Sequence, residues 1–331
     1  MEERDWSYLH VLRVCACIWV VIVHWEQRIG LPEFFHMVCS GGSWGPIIFF
    51  VLSGFLAFPS LERELKKNLE RGDRRWLIKR ATRLLPSYYI IVLFYFIFYT
   101  VLEEVPVDEK GIGWFRYIFL INDCVPSKDV FWTNMGAVWT ISAFIFFYLF
   151  TPIYHKVIKS YYMAWGGVIL MFFLAKGLAY YTTYLHTLQC FYFWGLGVLA
   201  YLSIKEHRED QLLVVGNVAL LLKTVVTGTC EVGMLVMMFI VTSTKLSIRN
   251  EKIRSCIRIL SQYTYSVYLT HVAVLIVLDH FYHGTKFGYT IVFFITTGLC
   301  TWLCYHLIEK KLGEKLRHIV DHRYEGGIVK K

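Results

Sequence analysis

The sequence predicts an all-α polytopic membrane protein of about ten transmembrane helices, with both termini on the cytoplasmic side. Three observations carry this. Of the 331 residues, 56% are hydrophobic and 18% charged, whereas soluble domains carry about a quarter charged residues. The apolar residues gather into runs of roughly 18 to 22, enough to cross a ~30 Å hydrocarbon core at 1.5 Å per residue. Lysine and arginine are also unevenly placed, as cytoplasmic loops retain them. The segment 59–83 holds nine of the 34 and the tail from Glu309 seven.

Each apolar run must be helical, because lipid offers its backbone groups no other partner. The first, 8–28, follows a short charged N-terminus. Its length and two internal ionisable residues, Arg13 and His24, mark a retained helix rather than a signal peptide. The second covers 38–58 and runs into the basic segment "PSLERELKKNLERGDRRWLIKRATR", whose charge spacing is helical up to Gly72. The third, 84–103, accommodates Pro86 early. The outer segment 104–134 follows, in which "GWFRYIFLIN" is too short to span and suits an interfacial or re-entrant helix. Spans at 135–154, 161–181 and 185–204 come next. The run from 211 to 247 divides into 211–228 and 230–247 only through Thr227, Gly228, Thr229 and Cys230; without that break the count drops to nine. The last spans are 259–279 and 287–308, and the tail is basic.

No internal repeat, linker or soluble second domain interrupts residues 1–331, so a single membrane domain is expected. Nine cysteines form neither a disulfide framework nor a zinc spacing, and no metal is implied. The net charge of +9 concentrates on one membrane face, where it suits anionic lipid or a polyphosphate ligand rather than nucleic acid.

Ionisable groups inside a bilayer are the default functional candidates, since each costs ~2.5–3.5 kcal/mol at a helix centre. Arg13 and His24 are eleven residues apart, three turns plus ~20°, and so point the same way ~16 Å apart along the axis. Snorkelling of Arg13 and an interfacial His24 is the plainer account of this helix alone. Arg80 and Arg83 share one helix face before the third span and suit a phosphate-bearing ligand as well as ordinary positive-inside charge. His271 has Tyr268 as its helix neighbour, a common structural pair. Ser53, in "LSGF", reads more as a packing residue than as a nucleophile. Lys176 and Lys223 are expected to snorkel, and Glu309 to pair with basic neighbours.

In this order the motifs resemble the membrane acyltransferase family 3, whose members move acyl groups from acyl-coenzyme A onto sugars or other acceptors. Arg13 and His24 match the opening helix, "FFVLSGFLAF" (Phe49 to Phe58) resembles the second-span signature, and Arg80 with Arg83 matches the paired-arginine motif. "YTYSVYLTH" (Tyr263 to His271) and "YHLIEKKL" (Tyr305 to Leu312) resemble the ninth-span and C-terminal signatures. One motif departs: "VWTISAFIFFYLFTP" has Phe144 and Ile145 where many members carry acidic residues, so no carboxylate role is carried over. Some members acting on surface polysaccharides lack that pair.

The resemblance implies a multi-pass cell-membrane O-acyltransferase, expected to be an acetyltransferase, using cytosolic acetyl-coenzyme A or another acyl-coenzyme A. Its acceptor would be a hydroxyl of a carbohydrate or glycolipid. His24 would be the general base or a transient acyl carrier. Arg80 and Arg83 would hold the donor's phosphates, with Arg13 in the same cavity. His271, Tyr268 and Ser53 would be substrate-site candidates, and Trp114 and Trp132 could stack on a sugar. Two other readings stay open: a transporter or flippase, and an assembly subunit of a polysaccharide export system.

Overall fold

A computed structural model describes residues 6–40, 44–67, 70–102, 114–121, 138–181 and 186–325. Among them regular structure is entirely helical. The long helices are α1 (Ser7–Ile29), α2 (Glu33–Ser40), α3 (Trp44–Lys67), α4 (Gly72–Val101), α5 (Trp139–Val157), α6 (Tyr161–Tyr181) and α7 (His186–Lys205). They continue as α8 (Glu209–Thr227), α9 (Val232–Ser243), α10 (Glu251–Phe281), α11 (Lys286–Leu303), a π-helix (Cys304–Leu312) and α12 (Gly313–Glu325). Each of the ten expected spans meets one helix among α1, α3 to α11. Eight of the described helices are long and apolar enough to cross a membrane.

Two of the ten differ in kind. At 12 residues, α9 rises only ~18 Å, and it is instead enclosed by protein, with Met237, Ile240 and Val241 fully buried. The break before it is real: Gly228 caps α8 at φ 66°, a left-handed conformation that glycine adopts without a Cβ penalty. The second, α5, carries Pro152, His155 and Lys156 in its last turns, which lower its apolarity. The segment 59–83 is helical almost throughout, with α3 running on to Lys67 and α4 beginning at Gly72. Arg80 and Arg83 therefore lie within one continuous helix with the third span. Of the segment 104–134, the described part forms a short helix at 114–118. It is tied to α4 by Tyr88 and Tyr89, which donate to the carbonyls of Tyr117 (2.7 Å) and Ile118 (2.9 Å).

The core is centred on α3 and α7. A Cβ at Gly54 would stand 1.9 Å from the Trp194 carbonyl oxygen, and one at Gly197 would stand 2.0 Å from that of Val51. The two backbones thus touch, as helices in lipid do where small residues meet. Phe50, Phe55, Phe58, Leu61 and Trp194 fill the surrounding core without solvent contact. Gly45 repeats the device between α3 and α1, where a Cβ would lie 2.1 Å from a methyl of Val20 and 3.1 Å from the Ala16 carbonyl.

The helices α1 and α10 run parallel, since His10 meets Ser261, Cys17 meets the Thr264 carbonyl and His24 meets His271. On its far side α10 is zipped to the π-helix by Gln262 with Tyr305 (2.7 Å), Tyr263 with His306 (3.1 Å) and Ser266 with Glu309. All three pairs have the same sequence offset, which the wider π turn allows by keeping 305, 306 and 309 on one face. Asn250 starts α10, accepting from the backbone N–H groups of Lys252 and Ile253.

Gly54→Val should force α3 and α7 apart against backbone rather than against a flexible side chain. Thermal unfolding in detergent micelles should show a loss of at least 1–3 kcal/mol, the usual cost of overpacking, whereas Gly177→Ala, with open space around it, should leave the midpoint unchanged.

Candidate active site

Three arginines converge on one internal cavity. It encloses about 860 Å³ including its open mouth and is lined by Arg13 of α1, Phe49 and Ser53 of α3, and Arg80, Arg83 and Leu84 of α4. Thr140, Phe144 and Tyr148 of α5 and Thr264, Tyr265 and Tyr268 of α10 complete its main walls. Among the described residues no carboxylate lines it, and Glu309 interacts electrostatically with Arg83. Five of the seven predicted site residues, Arg13, Ser53, Arg80, Arg83 and Tyr268, therefore face a common space; His24 and His271 do not.

Local geometry aims each cation. Arg80 donates from Nη2 to Ser60 Oγ at 2.7 Å, and its guanidinium lies 5.4 Å from the Trp76 ring and 5.2 Å from the Tyr148 ring. Ser60 is itself fixed, receiving Trp76 Nε1 at 2.8 Å and donating to the Ala57 carbonyl at 2.8 Å. A guanidinium held on its face and at one edge keeps its remaining N–H groups for a ligand. Arg83 stands one turn further along the same face of α4, where Tyr265 ties α4 to α10 by donating to the Leu84 carbonyl at 2.7 Å. Arg13 has no ion-pair partner among the described residues. Three cations without a lining anion form an anion-binding arrangement.

The inner wall consists of Tyr268 and Thr140, whose hydroxyls are 3.1 Å apart, with Phe49 against the Tyr268 ring at 6.1 Å. Beyond it the Tyr268 ring leans on His271, 5.8 Å between centroids, and His271 meets His24. Nδ1 of His24 is 3.1 Å from Nε2 of His271, and the rings are close to parallel, with centroids 5.2 Å apart. His271 has no solvent exposure, and its Nδ1 is 3.0 Å from the Val267 carbonyl oxygen. Arg13 and His24 keep their ~16 Å separation along an uninterrupted α1.

Several expectations are revised. Tyr268 bonds to Thr140 and makes only a ring contact with His271, whose partner is His24; nothing in either helix read alone signals that pairing. Glu309 accepts from Ser266 and lies within electrostatic reach of Arg83, a basic neighbour in space rather than along the chain. Lys223 pairs with Glu231 at 2.8 Å across the α8–α9 turn. Lys176 leans on the Phe172 ring at 5.7 Å. Trp114 is buried against Phe96, at 4.8 Å between centroids, and cannot stack on a sugar; Trp132 lies outside the described residues. Sequence reasoning missed Tyr148, Tyr265, Thr140 and Ser60. The one available signal was polarity, a hydroxyl inside an otherwise apolar run such as "FIFFYLF".

An all-α polytopic membrane protein with a tri-arginine cavity beside a part-buried histidine pair suits membrane group transfer or anion handling. The family comparison is more specific: the acyltransferase-domain model of the acyltransferase 3 family matches residues 6–308. The chain belongs to that family, and it is a membrane acyltransferase. Neither a curated protein nor a solved structure matches it.

Inorganic pyrophosphate should bind in micelles with a 1:1 stoichiometry by titration calorimetry. Arg83→Ala should weaken it roughly ten- to a hundredfold, the value of one charge-assisted hydrogen bond. Arg80→Lys should weaken it as well, despite keeping the charge, because lysine lacks the fork and the stacking plane.

Proposed function

We propose that the protein is an O-acyltransferase of the cell membrane that moves an acyl group, expected to be acetyl, from cytosolic acyl-coenzyme A to a hydroxyl of a glycan or glycolipid precursor. The observation that carries this is the tri-arginine cavity whose inner wall is in ring contact with the histidine pair. Coenzyme A is a polyanion with a long, flexible pantetheine arm. Arg80 and Arg83, with Arg13, suit its phosphates, and the arm gives the thioester the reach from the arginine end of α1 to the histidine end.

His24 then acts on the acceptor. Its lone-pair nitrogen takes the hydroxyl proton as the oxygen attacks the thioester carbonyl carbon, and the C–O bond forms. Collapse of the tetrahedral species breaks the C–S bond, and the imidazolium returns the proton to the departing thiolate. The step needs neither metal nor redox partner. Ser53 and Tyr268 are substrate-site residues in this reading; Ser53 stands 3.5 Å from Tyr148 and has no base beside it, so it contacts ligand rather than attacking it. The basic ends of α3, α4 and α12 (Lys66, Lys67, Arg71, Arg74, Lys315 and Arg317) support a reading in which the arginine end of the bundle faces the cytosol, by the positive-inside tendency.

Radiolabelled acetyl-coenzyme A supplied to membranes should label a glycan or lipid fraction with the wild type and not with His24→Ala. Arg80→Ala and Arg83→Ala should raise the apparent KM for the donor about tenfold or more with a smaller change in kcat. Label transfer by His24→Ala at the wild-type rate would refute the role of His24. Absence of transfer by the wild type, with anion uptake into vesicles instead, would establish the transport reading.

A further inference from the structure

The contacts around His271 determine where the protons of the histidine pair sit. The Val267 carbonyl can only accept, so the 3.0 Å contact to it requires that Nδ1 of His271 carry hydrogen. Neutral His271 then offers a lone pair at Nε2, and the 3.1 Å contact requires that Nδ1 of His24 donate to it. Nε2 of His24 is left as its lone-pair nitrogen. From this chain of bonds we infer that His271 is a positioning residue that holds His24 as its Nδ1–H tautomer, making Nε2 of His24 the atom that accepts the acceptor's proton.

This rests on the acyl-transfer reading for its use, but not for its geometry. The usual orienter of a catalytic histidine is a carboxylate, and here the nearby acids are engaged elsewhere. Glu26, two residues along α1, bonds to His36 at 3.0 Å, and Asp279 on α10 bonds to Arg28 and Tyr289. Arg28, one turn beyond His24 on α1 and paired with Asp279, is a charged neighbour of His24, and Val21, Val274, Leu275 and Phe293 form an apolar cluster among α1, α10 and α11. A neutral histidine in such surroundings fixes a tautomer without placing a second charge beside the base. The backbone bond to Val267, one helical turn back on α10, locks the orienter's own ring. Tyr268 supports it from the cavity side by its 5.8 Å ring contact.

The test uses full-length protein in micelles. In the ¹⁵N spectrum of histidine-labelled protein at a pH where the pair is neutral, the His24 resonances, assigned by their loss in His24→Gln, should show a protonated Nδ1 and a bare Nε2. In His271→Leu, which offers no acceptor, they should move toward the Nε2–H form. His271→Gln, whose amide oxygen can accept at the position of Nε2, should retain the wild-type pattern. In the acetyl-transfer assay His271→Leu should lower kcat about a hundredfold at an unchanged donor KM, within the range contributed by a general base, and His271→Gln should stay within about tenfold of wild type. An Nε2–H form of His24 in the wild type, or equal kcat losses in the two variants, would overturn the assignment. A protonated Nδ1 on His24 in a protein that transfers no acyl group would uphold the tautomer and remove only the acyl-transfer reading.

Discussion

Backbone contact between α3 and α7 is the constraint from which the site is built. Gly54 presses on the Trp194 carbonyl and Gly197 on that of Val51, so the face of α3 carrying Gly54 has no freedom to rotate. Ser53, Phe49 and Leu56, on the other side of the same helix, are consequently turned into the cavity. The contact at Gly45 then seats α1 on α3, and α1 brings both Arg13 and His24. The parallel α10, laid along α1, supplies Tyr268 to the cavity and His271 to His24. Small-residue contacts at two interfaces thus bear on the placement of side chains on α1, α3 and α10, which is the economy available where lipid removes the hydrophobic drive for helix association.

Within this frame the arginine cavity is held against its own electrostatics. Each cation is costly at membrane depth, and among the described residues no carboxylate lines the space. Stability elsewhere supports it. Toward the charged end, Arg75 and Lys79 bind Asp321 of α12 at 2.8 and 3.0 Å and Glu64 of α3 at 3.4 and 3.2 Å. Glu62 is gripped by Lys205 at 2.6 Å and Tyr201 at 2.8 Å, linking α3 to α7. Glu62, Glu64 and Asp321 clamp helices together at this end and do not line the arginine cavity.

The two late motifs, Tyr263 to His271 and Tyr305 to Leu312, have a joint explanation. They face one another as α10 and the π-helix, bonded at three positions with a constant offset. The zipper holds one side of α10 while its other sides present Tyr265 and Tyr268 to the cavity and His271 to α1. Residues far from Arg13, Arg80 and Arg83 in sequence thereby set the geometry of the residues that flank the arginine cavity.

Much of this was legible in the residues themselves. Helical class follows from the length of the apolar runs, because lipid forbids any other backbone solution. The alignment of Arg13 with His24, and of Arg80 with Arg83, follows from helical periodicity, which one chain segment determines alone. The stop at Gly228 is local chemistry as well. Other features required contacts between helices distant in sequence. These include the pairing of His24 with His271 and the capture of Glu309 by Ser266. They also include the recruitment of Tyr148 beside Arg80 and the enclosure of α9 despite its short length. No periodicity within either segment encodes which face of α10 meets which face of α1, since that is decided by side-chain contacts between them such as Ser261 with His10 and His271 with His24. The sequence alone determined that charged and titratable groups lie in the membrane and which of them share a helix face. Only the tertiary structure decided that three arginines share one cavity and that His24 meets a histidine 247 residues away, because both depend on side-chain contacts that form after the helices have packed.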